Sequence, residues 1–258
     1  EYLQVTDFLA MNKPKITAIY RVKNEARFIE QSIKSITDFC SEIIVLDDNS
    51  IDKTAEICSS FDKVSDVIKP RGTDLDEVRD RNHLFETARK NNPDFILSID
   101  GDEIFMPNAS EVLFEEISTI YSNSNVFDFQ FLTLWDSVNT IRTDGIFGNY
   151  WQKRLLRMKN QPDSLLLVEN DNPGNLHCGS IPPSSKGFGS PAKSSVKIFH
   201  LASLDEEVRK RKYDYYTKTD PDSVLTGAYK HMISGEGDFS GPNGIELEEL
   251  PKEFTVNL

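Results

Sequence analysis

Two aspartates on either side of a single glycine, Asp100 and Asp102, are the residues of this 258-residue chain best suited to chemistry. They follow the apolar run FILSI at 95–99 and precede Glu103. Carboxylates spaced in this way at the end of a buried strand can converge on a hard divalent cation. The same residues could instead form a solvated turn that caps the next helix. Their position after an apolar strand favours the metal site.

Two further groups of polar residues could take part in the same chemistry. His200 follows the apolar run VKIF at 196–199, and an imidazole is a suitable additional ligand beside paired aspartates, although a histidine here could also be structural. Asp47 and Asp48 follow the apolar run EIIVL at 42–46. They could accept hydrogen bonds from a ribose or a base, or form a turn before a helix.

Alternating strands and helices would have to bring these groups together. Apolar runs predict strands at 15–21, 42–46, 65–69 and 94–99. Helical patterns lie between them at 29–36, 52–60 and 74–91. This alternation implies a parallel sheet that binds ligands beyond the carboxyl ends of its strands. Further runs at 126–135, 153–158 and 195–200 have no obvious crossover helices and predict antiparallel additions. We therefore expect an α/β protein.

Charge and composition exclude several classes of partner. The chain has 42 Asp and Glu against 29 Lys and Arg, a formal net charge of −13, which disfavours nucleic acid and anionic lipid as partners. A metal ion could still recruit an anionic ligand. No apolar run is long enough for a transmembrane segment, and no signal-peptide pattern is seen. Three cysteines without close spacing favour a reducing compartment, so we expect a cytoplasmic protein.

Three segments together resemble the family 2 glycosyltransferases, which have the GT-A fold. They are ITAIYRVKNEARFIEQSIKSI, EIIVLDDNSIDKT and RNHLFETARKNNPDFILSIDGDEIF, followed more weakly by WQKRLLRM and FHLASLDEEVRKRKYDYYTKTDP. The resemblance implies a single GT-A domain over 1–258, with a Rossmann-like, mainly parallel sheet, antiparallel acceptor-side additions and C-terminal helices. The nucleotide-binding half would span about 14–105, the acceptor-binding half about 106–200 and the helical segment 201–258.

The resemblance also implies roles for individual residues. The donor, a nucleoside-diphosphate sugar, would be bound by Tyr20, Arg21, Asn24, Glu25, Asp48, Arg81, Asn82 and Asp100. Asp102 and His200 would hold Mn²⁺ or Mg²⁺, with Asp100 beside the ribose or the ion. The implied reaction is metal-dependent transfer of a sugar, with UDP favoured as the nucleotide, to a glycan or other hydroxyl acceptor. Members of the family generally invert the anomeric centre.

The general base is not identified by the resemblance. Many relatives place a His-Glu or Glu-Asp pair where the acceptor enters, whereas this chain has His177-Cys178. The candidate bases, which we leave unranked, are His177, Asp144 and Asp171, together with Asp136 and Glu169.

Several other side chains have two interpretations. Trp135, Tyr150 and Trp151 could stack on sugar rings or pack in the core. Arg154 alternates with apolar residues, so it could face a phosphate or lie on a solvated face of the sheet. The basic residues 210–212 lie among acidic residues on one predicted helix, where we expect exposed i, i+4 pairs.

Three alternative functions share part of this pattern. A phosphatase of the haloacid dehalogenase type also places Asp-x-Asp after a strand, but usually after its first one. A sugar-phosphate nucleotidyltransferase would need a Gly-rich N-terminal loop, which residues 20–23 do not provide. A GT-A-like module that only binds nucleotide sugars is the non-enzymatic alternative. The joint presence of Asp100, Asp102 and His200 favours the enzyme.

Overall fold

An eight-stranded sheet forms the centre of the computed structural model, with the strand order β3-β2-β1-β4-β8-β6-β9-β5. The structure describes residues 13–159, 161, 178–182, 191–220, 227, 229–236, 239–256 and 258. The strands are β1 Ile16–Val22, β2 Glu42–Asp47, β3 Val64–Ile68, β4 Phe95–Ile99, β5 Glu103–Phe105, β6 Val126–Thr133, β7 Thr140–Arg142, β8 Tyr150–Arg157, β9 Ala192–His200 and β10 Leu247–Glu249. The α-helices are α1 Ile29–Ile36, α2 Thr54–Ser59, α3 Glu77–Arg89, α4 Ala109–Glu115 and α5 Glu206–Thr219.

The first four strands form a parallel layer between helices, as the alternating sequence pattern predicts. Strand β1 pairs in parallel with β2 and with β4, and every residue of β4 is buried. Helix α1 packs its apolar residues with those on one face of β1. Helix α3 covers the other face through Leu84, Phe85 and Ala88. Because both faces are covered, β2 and β4 are nearly continuous apolar runs, whereas the edge strand β3 is partly exposed.

The second half of the sheet is mostly antiparallel. Strand β8 pairs antiparallel with β4 and β6, and β5 pairs antiparallel with β9. The β6–β9 pair is parallel, which differs from the purely antiparallel additions expected from the sequence. A crossover between these strands could not be predicted, because the segment between them has no helical periodicity. Strands β7 and β10 form a separate two-stranded sheet.

The sheet curls back on itself at the predicted metal motif. Strands β4 and β5 are far apart in the strand order, yet residues 100–102 alone connect them. Three residues span about 10 Å, so the far edge of the sheet must return to the end of β4. The curl brings β9, the partner of β5, to the carboxyl end of β4.

The C-terminal segment is less helical than expected over the residues that the structure describes. Helix α5 begins after Asp205, whose side chain accepts a hydrogen bond from the Val208 N–H at 2.9 Å as an N-cap. A 3₁₀ turn follows at Lys230–Met232, and β10 pairs with β7. Other short helical turns are a π-turn at Glu116–Ile120 and a 3₁₀ turn at Gly145–Asn149.

Candidate active site

A cavity of about 650 Å³ lies where the parallel layer, the curled edge of the sheet and helix α5 meet. Six of its side chains are cationic: Arg21, Lys23, Arg81, Arg154, Arg211 and Lys212. Five are anionic: Glu25, Glu77, Asp100, Asp102 and Glu103. By formal charge the lining is therefore slightly positive, in a chain whose net charge is −13. A local balance of this kind accommodates an anionic ligand that the protein as a whole would repel.

Asp102 and His200 lie side by side at this cavity. Antiparallel pairing of β5 with β9 places His200 opposite Glu103, and the Leu201 N–H donates to the Asp102 carbonyl at 2.9 Å. The His200 Nε2 atom is 3.6 Å from Asp102 Oδ2. Burial lowers the pKa of His200, although Asp102 opposes the shift, so the imidazole is neutral at pH 7. A neutral imidazole beside a carboxylate can ligate a divalent ion.

Lys212, on helix α5, binds the same carboxylate. Its ammonium donates to Asp102 Oδ2 at 2.6 Å and lies 3.6 Å from Glu25 Oε1. Burial alone would lower the pKa of Lys212, but these two carboxylates outweigh it and hold the pKa well above its usual value. The expectation that residues 210–212 are an exposed run is wrong for Lys212, because helix α5 packs this side chain against the site. Lys210 is exposed, as expected.

Asp100 has different partners from Asp102. Arg81 Nη2 donates to one of its carboxylate oxygens at 3.0 Å, and Arg154 Nη2 donates to the other at 3.2 Å. Burial would raise the pKa of Asp100, but the two guanidinium groups outweigh burial and hold it far below its usual range. Arg154 also forms a bidentate ion pair with buried Glu103. It is therefore buried at the cavity and does not lie on a solvated face of the sheet.

Hydrogen bonds and ion pairs join the segments after β1 and β2 beside the cavity. Arg21 lines the cavity and donates to Asp48 Oδ2 at 2.8 Å and to Asp80 Oδ2 at 3.1 Å. Asn24 has a positive φ of 54°, a conformation that asparagine tolerates better than most residues. Its side-chain oxygen accepts from the Ile51 N–H at 2.8 Å. These contacts fix the backbone on which Arg21 and Glu25 are presented.

The structure brings most, but not all, of the predicted site residues together. Those that line the cavity are Arg21, Asn24, Glu25, Arg81, Asp100, Asp102 and His200. Those outside its lining are Tyr20, Asp48, Asn82 and Asp144. The Tyr20 hydroxyl is buried against the Ser32 hydroxyl at 3.1 Å, and Asp48 pairs with Arg21 and Lys23, which line the cavity. His177, Asp171 and Glu169 lie outside the described residues.

Asp144 has the contacts of a structural residue. Its side chain and that of Arg142 are both fully buried, and Arg142 donates to both carboxylate oxygens, at 2.6 and 2.8 Å. The Gly241 and Glu246 N–H groups donate to the same carboxylate. With four donors and no access to the cavity, this carboxylate cannot take a proton from an acceptor. Asp136 is also outside the cavity lining and pairs with Arg209.

A row of aromatic rings leads from His200 to the surface, and the sequence did not reveal it. The aromatic row consists of Phe131, Tyr150, Phe147, His231 and Phe239, all of which line the cavity. Successive ring centroids from His200 outward are 5.6, 5.4, 6.4, 5.8 and 5.1 Å apart. Of the three aromatic residues singled out from sequence, Tyr150 alone lines this cavity. The row draws on three distant segments, so no local spacing could have indicated it.

Asp102 and His200 are the side chains at this cavity best suited to ligate a divalent ion. Among the described residues there is no cluster of three or more His, Cys, Asp and Glu side chains that could hold one. Asp102 and His200 nevertheless offer a carboxylate oxygen and a buried, neutral imidazole in contact with each other. Mn²⁺ and Mg²⁺ commonly take one or two protein ligands and complete their shell with phosphate oxygens and water. The two residues fit such an ion when a diphosphate supplies further ligands.

Comparison with known proteins decides the family. Residues 17–164, more than half of the chain, match the model described as glycosyl transferase family 2. The chain belongs to glycosyl transferase family 2. The match confirms the family that the sequence resembles, and the described sheet confirms the α/β fold class expected from the sequence.

Individual relatives of this family 2 chain match only part of it. An uncharacterized glycosyltransferase of Rickettsia bellii (strain RML369-C) is 40% identical over 112 residues, which are 43% of this chain and 34% of the relative. The chain thus spans about a third of that relative's length. The structure of TarS from S. aureus aligns with 85% of this chain and 44% of its own, at 16% identity and a TM-score of 0.44.

A second solved structure is glucosyl-3-phosphoglycerate synthase from Mycobacterium tuberculosis in complex with Mn²⁺, UDP and glucosyl-3-phosphoglycerate. It aligns with 46% of this chain and 44% of its own, at 17% identity and a TM-score of 0.34.

Within the described part of this chain, no helix has the length and apolar character needed to cross a membrane.

Proposed function

We propose that this glycosyltransferase moves a sugar from a nucleoside-diphosphate donor, with UDP favoured, to a hydroxyl group of a glycan or similar acceptor. The observation that carries the proposal is the contact between Asp102 and His200 at a cationic cavity. In one displacement the bond from the anomeric carbon to the phosphate oxygen breaks, and a bond to the acceptor oxygen forms with inversion. The acceptor proton passes to a general base, and the nucleoside diphosphate leaves.

The donor half of the proposed single domain is residues 14–105. Arg21 and Arg81 line the cavity from β1 and α3, and each is held in place by buried or half-buried carboxylates. Fixed guanidinium groups are well suited to diphosphate oxygens because their donors are already oriented. Asp48 contributes by holding Arg21 in position. We propose the same indirect role for Tyr20, which supports the end of β1, and for Asn82 on α3.

Asp102 and His200 are the proposed ligands of Mn²⁺ or Mg²⁺. When bound, the ion would act as a Lewis acid that stabilises charge on the departing diphosphate. Asp100 is committed to Arg81 and Arg154, so we assign it to orienting the donor rather than to direct metal binding. The same commitment argues against a phosphatase in which the first aspartate attacks phosphorus, since both its oxygens accept hydrogen bonds.

The acceptor is proposed to bind along the aromatic row, in the half that spans about 106–200 and the segment after it. Rings in such a row offer apolar faces to the C–H faces of a sugar, and they lead outward from His200. Phe239, at the far end, is 37% exposed. His177 and Asp171 remain the proposed bases. His177 is adjacent in sequence to Cys178, which lines the cavity.

Release of nucleoside diphosphate from UDP-, GDP- and dTDP-sugars, with a mixed glycan acceptor pool and with or without Mn²⁺, tests the proposal. We expect release with one donor, its loss with EDTA, and a fall of at least about 100-fold in Asp102→Asn. Asp38→Asn removes one exposed carboxylate outside the cavity lining and is the matched control. Equal turnover with EDTA, or full activity in Asp102→Asn, would contradict the metal assignment. Donor binding without turnover would favour the binding module.

A further inference from the structure

We propose that Lys212 is a built-in counter-cation of the metal site. It holds Asp102 until donor and metal arrive, and it then moves to the diphosphate. This inference rests on the proposed function and assigns a binding role to a residue that the sequence placed on an exposed helix face. It predicts that metal and diphosphate bind cooperatively. The metal displaces the Lys212 ammonium from Asp102, and the diphosphate gives that ammonium a new anionic partner.

The first observation is that Lys212 binds the Asp102 oxygen that lies beside His200. The ammonium is 2.6 Å from Asp102 Oδ2, and His200 Nε2 is 3.6 Å from that same oxygen. An ion held by Asp102 and His200 would compete with the ammonium for this carboxylate. Metal alone would therefore bind against the cost of breaking a buried ion pair.

The second observation is that Lys212 has somewhere else to go. Its side chain lines the cavity together with Arg211, one residue earlier on helix α5. A lysine ammonium on a four-carbon chain can change partners by rotating its own bonds, without movement of the backbone. A diphosphate in this cavity would offer the displaced ammonium several anionic oxygens. Glu25, 3.6 Å from Nζ, keeps it at the cavity during the exchange.

The third observation is that helix α5 itself is anchored. Arg209 donates to Asp136 Oδ1 at 2.6 Å and to the Ser203 carbonyl at 3.0 Å, and Asp205 pairs with Arg27. These contacts fix the first turn of the helix, three residues before Lys212. The helix backbone therefore stays in place, and only the Lys212 side chain has to move during the exchange.

Binding of Mn²⁺ alone, followed by the electron paramagnetic resonance signal of free Mn²⁺, tests the first half of the inference. We expect Lys212→Met to bind Mn²⁺ about 10-fold more tightly than the wild type, since the carboxylate is no longer occupied. Lys210→Met removes the same charge from an exposed position on the same helix, and it should match the wild type. Asp102→Asn combined with Lys212→Met should abolish the gain.

Inorganic pyrophosphate tests the second half by calorimetry at saturating Mn²⁺. We expect Lys212→Met to bind it about 10-fold more weakly than the wild type, and Lys212→Arg to restore most of the affinity. Unchanged Mn²⁺ affinity in Lys212→Met, or unchanged pyrophosphate affinity, would overturn the inference. If Lys212→Met does not fold by circular dichroism, Lys212→Gln is measured in the same way.

The two proposals fail in different ways. If the metal assignment is wrong, the wild type shows no Mn²⁺ site that depends on Asp102, with or without pyrophosphate. If Lys212 alone is misassigned, the wild type has that site, and Lys212→Met leaves both affinities unchanged.

Discussion

Asp100 and Asp102 are carboxylates two residues apart, yet the structure gives them different partners. Asp100 is held between Arg81 and Arg154, whereas Asp102 contacts His200 and Lys212. Burial strengthens each of these pairings, because few water molecules compete for the charges. Asp100 is thereby fixed in place by two guanidinium groups, and Asp102 is held by one ammonium, which we propose is displaced when metal binds.

Arg154 should be the most costly of these side chains to remove. Its loss would leave Glu103 buried without its bidentate partner and would take one of two arginines from Asp100. We expect Arg154→Met to lower the free energy of unfolding by about 3–5 kcal/mol, measured by urea denaturation. Lys210→Met, at an exposed position on helix α5, should change it by less than about 0.5 kcal/mol. Similar values for the two variants would contradict the role assigned to Arg154.

Helix α5 shows how an element that is polar along most of its length can still be part of a buried site. Of its fourteen residues, Val208 and Arg209 are the buried ones. Four others, Arg211, Lys212, Tyr215 and Tyr216, line the cavity. The helix is held not by an apolar stripe but by Arg209, which stacks 4.3 Å from the Trp135 ring centre and pairs with Asp136.

Substitution of Arg209 should therefore affect the donor site from a distance. We expect Arg209→Met to raise the KM for the donor about 5- to 10-fold while kcat changes less, because the anchor that positions helix α5 is lost. Steady-state kinetics measure the two constants, and Lys210→Met is the control on the same helix. A fall in kcat with unchanged KM would argue that Arg209 does not act by positioning the donor side chains.

The buried pair of Arg142 and Asp144 joins β7 to the C-terminal segment. Arg142 also donates to the His231 carbonyl and the Ser240 hydroxyl, each at 2.8 Å. It lies over the Phe147 ring, 4.2 Å from its centre. The outer end of the aromatic row depends on these contacts. The Arg142–Asp144 pair thus stabilises the proposed acceptor side of the cavity.

Asp144→Asn separates a structural role from a catalytic one. Because the change leaves Arg142 buried and without its ionised partner, we expect a loss of about 3–5 kcal/mol in unfolding free energy. Turnover per folded molecule, measured at low temperature, should stay within about threefold of the wild type. A loss of several hundredfold in a folded variant would restore Asp144 as a candidate base.

The same pair should give the stability a definite dependence on pH. Burial would raise the pKa of Asp144, but Arg142 and two backbone N–H groups outweigh it and hold the pKa below its usual value. Its contribution to stability is therefore complete above about pH 4 and is lost as the pH falls through the native pKa. We expect the stability difference between wild type and Asp144→Asn to be constant from pH 7 to 5 and to shrink below about pH 4. A difference that grows on acidification would contradict this sign.

The distribution of charge over the chain differs from what its total suggests. The net charge is −13, but six cationic and five anionic side chains line the cavity. The acidic surplus lies elsewhere, where it disfavours nucleic acid and other polyanions. A small anion can still bind in the cavity.

Donor binding should therefore stabilise the fold measurably. A nucleoside diphosphate at 100 times its dissociation constant, with Mn²⁺, adds about 2.7 kcal/mol, which corresponds to a rise of roughly 5–10 °C in Tm. A thermal-shift panel of UDP, GDP, dTDP and CMP with and without Mn²⁺ measures it and identifies the base. Asp102→Asn should lose the Mn²⁺-dependent part. A larger shift with GDP or dTDP would replace UDP as the favoured nucleotide, and no shift with any of them would contradict donor binding.

The periodicity of the sequence was sufficient to predict the parallel layer of the fold. Apolar runs and helical patterns predicted β1 to β4 and the helices between them, because short local segments determine strand and helix formation. The parallel β6–β9 pair and the short helical turns were not predicted, since they depend on contacts between distant segments.

By itself the sequence determined that Asp100 and Asp102 end a buried strand, that His200 ends another, and that the chain resembles family 2 glycosyltransferases. Only the tertiary structure decided which charges meet. It paired Asp100 with two arginines, buried Asp144 against Arg142 and turned Lys212 towards Asp102. The reason is physical: a side chain's role depends on its neighbours and its burial. Here those neighbours come from segments as much as 110 residues apart, brought together by the curl of the sheet and the packing of helix α5.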